Sequence, residues 1–192
     1  MNFYFLLFDK FETLDLFGPV EIFGRIPDAR LNYISMKGGI ITSEQGTQIL
    51  TQKAPKLPDD AVLVVPGGRG TRPLVKDADF LAGLKDLADS AANVLSICTG
   101  SALLAAAGVL VNVKATSNKY AFEWVTSTGD VVWIRKARWV HDGRFYTSSG
   151  VSAGIDMALG FVADHYGLDA AKANAQKAEY IWNEDSEIDP FA

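Results

Sequence analysis

"VLSICTGSALLAAAGVL", Val94 to Leu110, holds the only cysteine of the chain, Cys98, at the point where a strand-like apolar run becomes a helix-like one. Val94 to Ile97 read as a strand, Cys98 as the turn, and Thr99 to Ala107 as a helix of small residues ending at Gly108. That is the layout of a nucleophile elbow, in which a tight strand-to-helix turn lifts one side chain above a sheet and sets it at a helix N-terminus. Ser96, Gly100, Ser101 and Ala102 are small enough for the close approach such a turn needs. The free N–H groups and partial positive charge of the helix start predict a thiol with a lowered pKa. The plainer reading makes Cys98 a small buried hydrophobe.

Working outward, the apolar runs "FYFLLF", "LNYISM", "AVLVVP" and "NVLSIC" alternate with the helix-period segments "PLVKDADFLAGLKDLADSAA" and "GVSAGIDMALGFVADHYG". Alternation of this kind predicts an α/β fold, a parallel sheet sandwiched by helices. "AVLVV" and "NVLSI" are apolar at nearly every position, as central strands buried on both faces are. "GDVVWIRKARWVHDGRFYTSSG" has β-rich pieces around an "HDG" turn and predicts a small β-hairpin insertion. The acidic end "NEDSEIDPFA" reads as a solvated tail. The chain has 192 residues, 48% of them hydrophobic, without repeat or linker, which predicts one domain over residues 1–192.

Composition narrows the partners. Eighteen basic residues against 23 acidic, net −5, with no basic cluster, argue against nucleic acid. No run reaches the length of a membrane span, and the opening "MNFYFLLFDK" reads as a buried strand rather than a leader, so a cytoplasmic protein is expected. Two isolated histidines, His141 and His165, and one cysteine offer no metal-ligand spacing, and no cofactor is implied. Two further segments carry candidate chemistry. "VLVVPGGRGTR" ends a central strand in Pro66-Gly67-Gly68, either a plain tight turn or a place where backbone N–H groups face a crevice at the carboxyl edge of the sheet. "ETLDLFGPVEIFG" sets Asp15 in an apolar run just ahead of a helix expected to start at Pro19, where it is either a helix cap or a buried acid.

Together "FLLFDKFETLDLFGPVEIF", "VPGGRGT", "SICTGSALLAAAGVL", "ATSNKYAFEWV" and "TSSGVSAGIDMAL" resemble the DJ-1/PfpI superfamily, and within it the isocyanide (isonitrile) hydratase branch. Related segments also form the ligand-binding half of certain AraC-type regulators, whose helix-turn-helix region is missing here. The resemblance implies a flavodoxin-like fold, a homodimer and a small-molecule substrate. It also implies Cys98 as nucleophile, Asp15 beside it, and an anion hole from the Gly68 and Thr99 amides. In one respect the chain departs from its relatives: "ATSNKYA" puts Asn118 where they have a histidine. Thr99 follows Cys98 where protease-like members have a histidine, and no His-x-Glu pair lies near the C-terminus, so protease and glutamine amidotransferase chemistry lack their base.

The expected reaction is therefore hydration of an isocyanide through a Cys98 thioimidate, with Asp15 moving protons and Thr99 adding a hydroxyl contact. Phe17 and Val151 are candidates for an apolar wall. Two rivals use the same thiol. One is glyoxalase or deglycase chemistry on α-oxoaldehydes; the other is a redox or ligand sensor in which Cys98 is oxidised.

Overall fold

The computed structural model describes all 192 residues. In chain order the elements are β1 (Asn2–Leu6), α1 (Thr13–Phe23), β2 (Arg30–Ser35), β3 (Gly39–Thr42), β4 (Gln48–Lys53), β5 (Ala61–Val65), α2 (Thr71–Leu74), α3 (Ala78–Ser90) and β6 (Asn93–Ser96). They continue with α4 (Gly100–Ala106), β7 (Lys114–Ala115), α5 (Phe122–Thr126), β8 (Val132–Trp133), β9 (Trp139–Asp142), β10 (Phe145–Ser148), α6 (Ala153–Tyr166) and α7 (Leu168–Lys177).

An eight-stranded sheet runs β3-β4-β2-β1-β5-β6-β10-β9, parallel except for the two outermost strands. Helices flank it: α1 packs on α6, and α3 on β5 and α4. The central β5, Ala-Val-Leu-Val-Val, is buried at all five positions, as its unbroken apolar run requires. Between α1 and α6, Phe23 stacks on Phe3 with centroids 4.2 Å apart and Phe161 meets both rings edge-on. Aromatic packing of this kind locks the two helices to the sheet and makes truncation of any one ring worth about 3–5 kcal/mol.

After β1 the chain turns one way to β2, and later returns to lay β5 on the other side of β1. The loops leaving the carboxyl ends of β1 and β5 therefore diverge and open a crevice, which the loops after β6 and β10 border.

Four features differ from the sequence expectations. The hairpin around Gly143 forms, but it is not an insertion: β10 lies in the central sheet, parallel to β6, and only β9 is extra. A second hairpin, β3–β4, also forms at the sheet edge, where Ile40 and Leu50 pair and are exposed, so no buried apolar face marks it in the sequence. Helix α1 starts at Thr13, with Pro19 inside it. The acidic tail is docked rather than solvated. Ser186 O accepts the Arg138 and Trp139 amides, the Asp189 amide donates to Lys136 O, and the Asp189 side chain is buried against Arg138.

Candidate active site

Cys98 lies between β6 and α4 with φ +56°, a left-handed conformation that costs a non-glycine residue energy and that the elbow imposes. Its backbone is held from both sides. The amide donates to Ser149 O at 3.0 Å, and the carbonyl accepts Ser101 Oγ at 3.1 Å and Ser117 Oγ at 2.9 Å. The thiol is only 5% exposed. The Thr99 and Val151 amides and the Asn118 side chain are the polar groups that act on it, each favouring the thiolate. Asn118 Oδ1 accepts the Ala121 amide at 3.0 Å, which leaves its NH2 group for the sulfur. Val151 is itself at φ +42°, a strained position for a β-branched residue, and that backbone presents its N–H to the thiol.

Asp15 comes from the first turn of α1 and is completely buried. It does not cap its helix. Oδ2 accepts the Gly67 amide at 2.8 Å, and Oδ1 has no hydrogen-bond partner. Gly67 has to be glycine, because a Cβ there would sit 2.9 Å from Cys98 Cβ and 2.5 Å from the Thr99 nitrogen. The Asp15 carboxyl is held well above the usual carboxylate range, first by burial and then, after the opposing Gly67 hydrogen bond, by the nearby charge of Glu12.

The predicted low-pKa thiol is not what this environment makes. Burial pushes Cys98 up, the Asp15 charge pushes it further, and the three polar groups pull it down by less. The helix start was visible in sequence, whereas desolvation and the neighbouring carboxylate exist only in the fold. The two acids act as a coupled pair that holds at most one negative charge near neutrality.

Of the expected site residues, Cys98, Asp15 and Thr99 come together in the crevice. Gly68 is there too, but its N–H donates to Thr99 Oγ1 at 3.0 Å instead of facing open space. Thr71 Oγ1 in turn donates to Gly68 O at 2.7 Å and to Thr99 Oγ1 at 3.2 Å, so Thr99 is the centre of a small hydroxyl network. Phe17 is half-buried on α1, and Val151 adjoins Cys98 through its backbone. His141 stacks on Tyr146 and pairs with Asp164 at 3.1 Å. His165 packs on Phe161 near the far end of α6, roughly 18 Å of helix beyond its start beside Val151. Neither histidine serves Cys98. Gly67 reads from sequence as part of a turn whose amides face the crevice, and its amide fixes Asp15; the residue that sequence reasoning passed over is Arg72 on α2, on which the charge of Cys98 acts.

The broader surface cavities, of about 590 Å³ beside Phe8 and Phe80 and about 430 Å³ beside Leu57 and Leu87, are not lined by Cys98 or Asp15. Access to the thiol is narrow. No group of three potential ligand side chains is placed to hold a metal ion, and no helix is long and apolar enough to cross a membrane.

A parallel α/β protein with a strained cysteine elbow over a buried aspartate defines a class of thiol proteins built at the carboxyl edge of a sheet. Within that class the chain belongs to the DJ-1/PfpI family, whose model matches residues 1–164. It is 35% identical over 177 residues to an isonitrile hydratase of Pseudomonas putida, covering 92% of this chain and 77% of that one. A ThiJ/PfpI family protein from Pseudomonas syringae superposes with a TM-score of 0.85 at 31% identity, over 93% of this chain and 74% of the other. An AraC family transcriptional regulator from Pseudomonas putida superposes with a TM-score of 0.77 at 18% identity, over 92% of this chain and 98% of the other, a likeness of fold alone.

Proposed function

We propose that this chain hydrates small isocyanides to N-substituted formamides, with Cys98 as nucleophile and Asp15 as the proton carrier. The observation that carries the reading is the buried pairing of Cys98 with Asp15 in a site that no histidine serves. A single acid that gives and then takes protons suits hydration, and the similarity to an isonitrile hydratase supports the choice of substrate.

Asp15 Oδ1 has no other hydrogen-bond partner and lies beside a thiol whose pKa burial raises, so the ionised carboxyl takes the thiol proton as the substrate arrives, and the reacting form is a thiolate beside a protonated carboxyl. The thiolate attacks the terminal carbon of R–N≡C, forming the C–S bond while Asp15 gives that carbon a proton; the product is the neutral thioimidate R–N=CH–S–Cys98. Asp15, now ionised, takes a proton from water as the hydroxyl adds to carbon and passes that proton to nitrogen. Asp15 then removes the hydroxyl proton of R–NH–CH(OH)–S–Cys98, the C–S bond breaks, and the formamide leaves with thiolate and carboxylic acid restored. A slim, linear functional group fits narrow access to a thiol that is 5% exposed. We infer further that the chain works as a homodimer, which light scattering on the purified protein checks.

The deciding experiment presents para-nitrophenyl isocyanide and, in parallel, methylglyoxal to the wild type and to Asp15→Asn, following products by mass. Formamide from the wild type and a rate lower by about 10²–10⁴ in Asp15→Asn is the expected result, the usual worth of general acid-base catalysis. Lactate from methylglyoxal, or inertness toward both, overturns it in favour of the glyoxalase or the sensor.

A further inference from the structure

Arg72, an exposed side chain on α2, is a charged group near the site that the hydration mechanism leaves unused. Its backbone is tied to the site, because the preceding Thr71 bonds both Gly68 O and Thr99 Oγ1. Its guanidinium carbon lies over the Trp124 ring on α5, 3.5 Å from the centroid, a cation–π contact that seats the group and leaves its N–H groups free. Those groups find nothing in the protein: the guanidinium forms no ion pair and donates to no acceptor, whereas Arg69, three residues earlier, reaches Glu44 at 3.6 Å. The charge lies within electrostatic reach of Cys98, whose thiolate favours the charged guanidinium while desolvation works against it.

An exposed planar cation seated on an indole, unpaired, and next in sequence to the threonine that bonds Thr99 beside the nucleophile, is suited to receive a planar anion. We propose that Arg72, seated on Trp124, is a specificity-determining residue that selects electrophiles carrying a carboxylate, which it orients with the reactive carbon toward Cys98. The proposal rests on Cys98 as the reacting nucleophile, and with the hydratase reading it names the substrate class as isocyano-carboxylates.

Alkylation tests it without that reading. Iodoacetate and iodoacetamide differ in little but charge, and with either the thiolate forms a C–S bond as iodide leaves. The ratio of their second-order rate constants at Cys98 is measured at low ionic strength in the folded protein and in the urea-unfolded chain. The folded wild type should exceed the unfolded ratio by about tenfold, the worth of one charge-assisted contact, and should lose that excess at 0.5 M salt. Arg72→Met should return to the unfolded ratio, Arg72→Lys should keep part of the excess, and Arg72→Glu should fall below it, which a merely misfolded variant would not do. A wild-type ratio equal to the unfolded one, an Arg72→Met variant that keeps the excess, or a thiol that neither reagent reaches overturns the proposal. Turnover of 4-isocyanobenzoate against para-nitrophenyl isocyanide separates the two readings. Anion-selective alkylation with neither isocyanide consumed supports Arg72 and overturns the hydratase; equal consumption of both with an unselective thiol overturns Arg72 alone.

Discussion

Two buried clusters of ionisable groups lie in this protein, and they are built on opposite plans. In one, Arg138 is held against Asp156 by Nη2 at 2.8 Å and Nε at 2.9 Å, while Tyr180 and the Asn183 amide fill the other carboxylate oxygen at 3.0 Å each. Asp189 adds a second anion at 3.5 Å from Arg138 and 3.8 Å from Lys119, whose own pKa burial pulls down to about 8. In the other cluster two acids, Asp15 and Cys98, face each other with no cation buried beside them, and Asp15 Oδ1 is left without a partner. Opposite charges, with both Asp156 oxygens hydrogen-bonded, staple the docked tail to the sheet edge. Two acids with no cation between them, and with one carboxylate oxygen unpartnered, are held together by the elbow and the Gly67 turn. The first arrangement stores stability, and in the function proposed above the second stores reactivity.

The contrast breaks most sharply at the sulfur. Cys98→Ser should abolish isocyanide turnover while leaving the urea midpoint close to wild type, since a hydroxyl without a histidine base is a poor nucleophile at neutral pH. A serine variant that retains turnover would remove Cys98 from the chemistry. In the compensated cluster, Asp156→Ala should cost about 3–5 kcal/mol in urea unfolding, because it strands Arg138 and frees the tail. Its turnover per folded molecule should change far less than that of the Cys98 variant, and a reversed pattern would mean that the two clusters had been assigned the wrong way round.

Smaller effects sharpen the comparison. Asn118→Ala removes one of three donors to the thiolate and should lower turnover about ten- to a hundredfold, the worth of about 1.5–3 kcal/mol for a hydrogen bond to a charged group. No change would transfer its role to Thr99 and Val151. Asp15→Asn should show in the pH dependence of stability. A carboxyl held above its unfolded value binds a proton that the unfolded chain has released, so its contribution is full in acid and fades as pH rises through the folded value. The asparagine stays neutral throughout. Urea midpoints at pH 4, 6 and 8 should therefore fall more for the wild type than for the variant, and parallel curves would mean that Asp15 titrates normally.

Some of this was legible residue by residue. The strand-turn-helix around Cys98, the apolar run of β5 and the Pro-Gly-Gly turn are local patterns, and local patterns record the backbone's own steric preferences. The resemblance carried by those segments placed Asp15 beside Cys98, although nothing near Asp15 in the chain announces what it touches. Three things were decided only by tertiary structure. Which glycine amide reaches the carboxylate depends on how the β5 and α1 turns meet, and it is Gly67 rather than Gly68. Whether the tail is solvated depends on a carboxylate finding Arg138 some fifty residues upstream, which no composition of "NEDSEIDPFA" reveals. The thiol's pKa depends on desolvation, a sum over every neighbour that excludes water, and that sum outweighs the helix start. Sequence thus determined which atoms could react, and the fold determined where their protons reside, because backbone preference is local and electrostatics in a dry crevice is not.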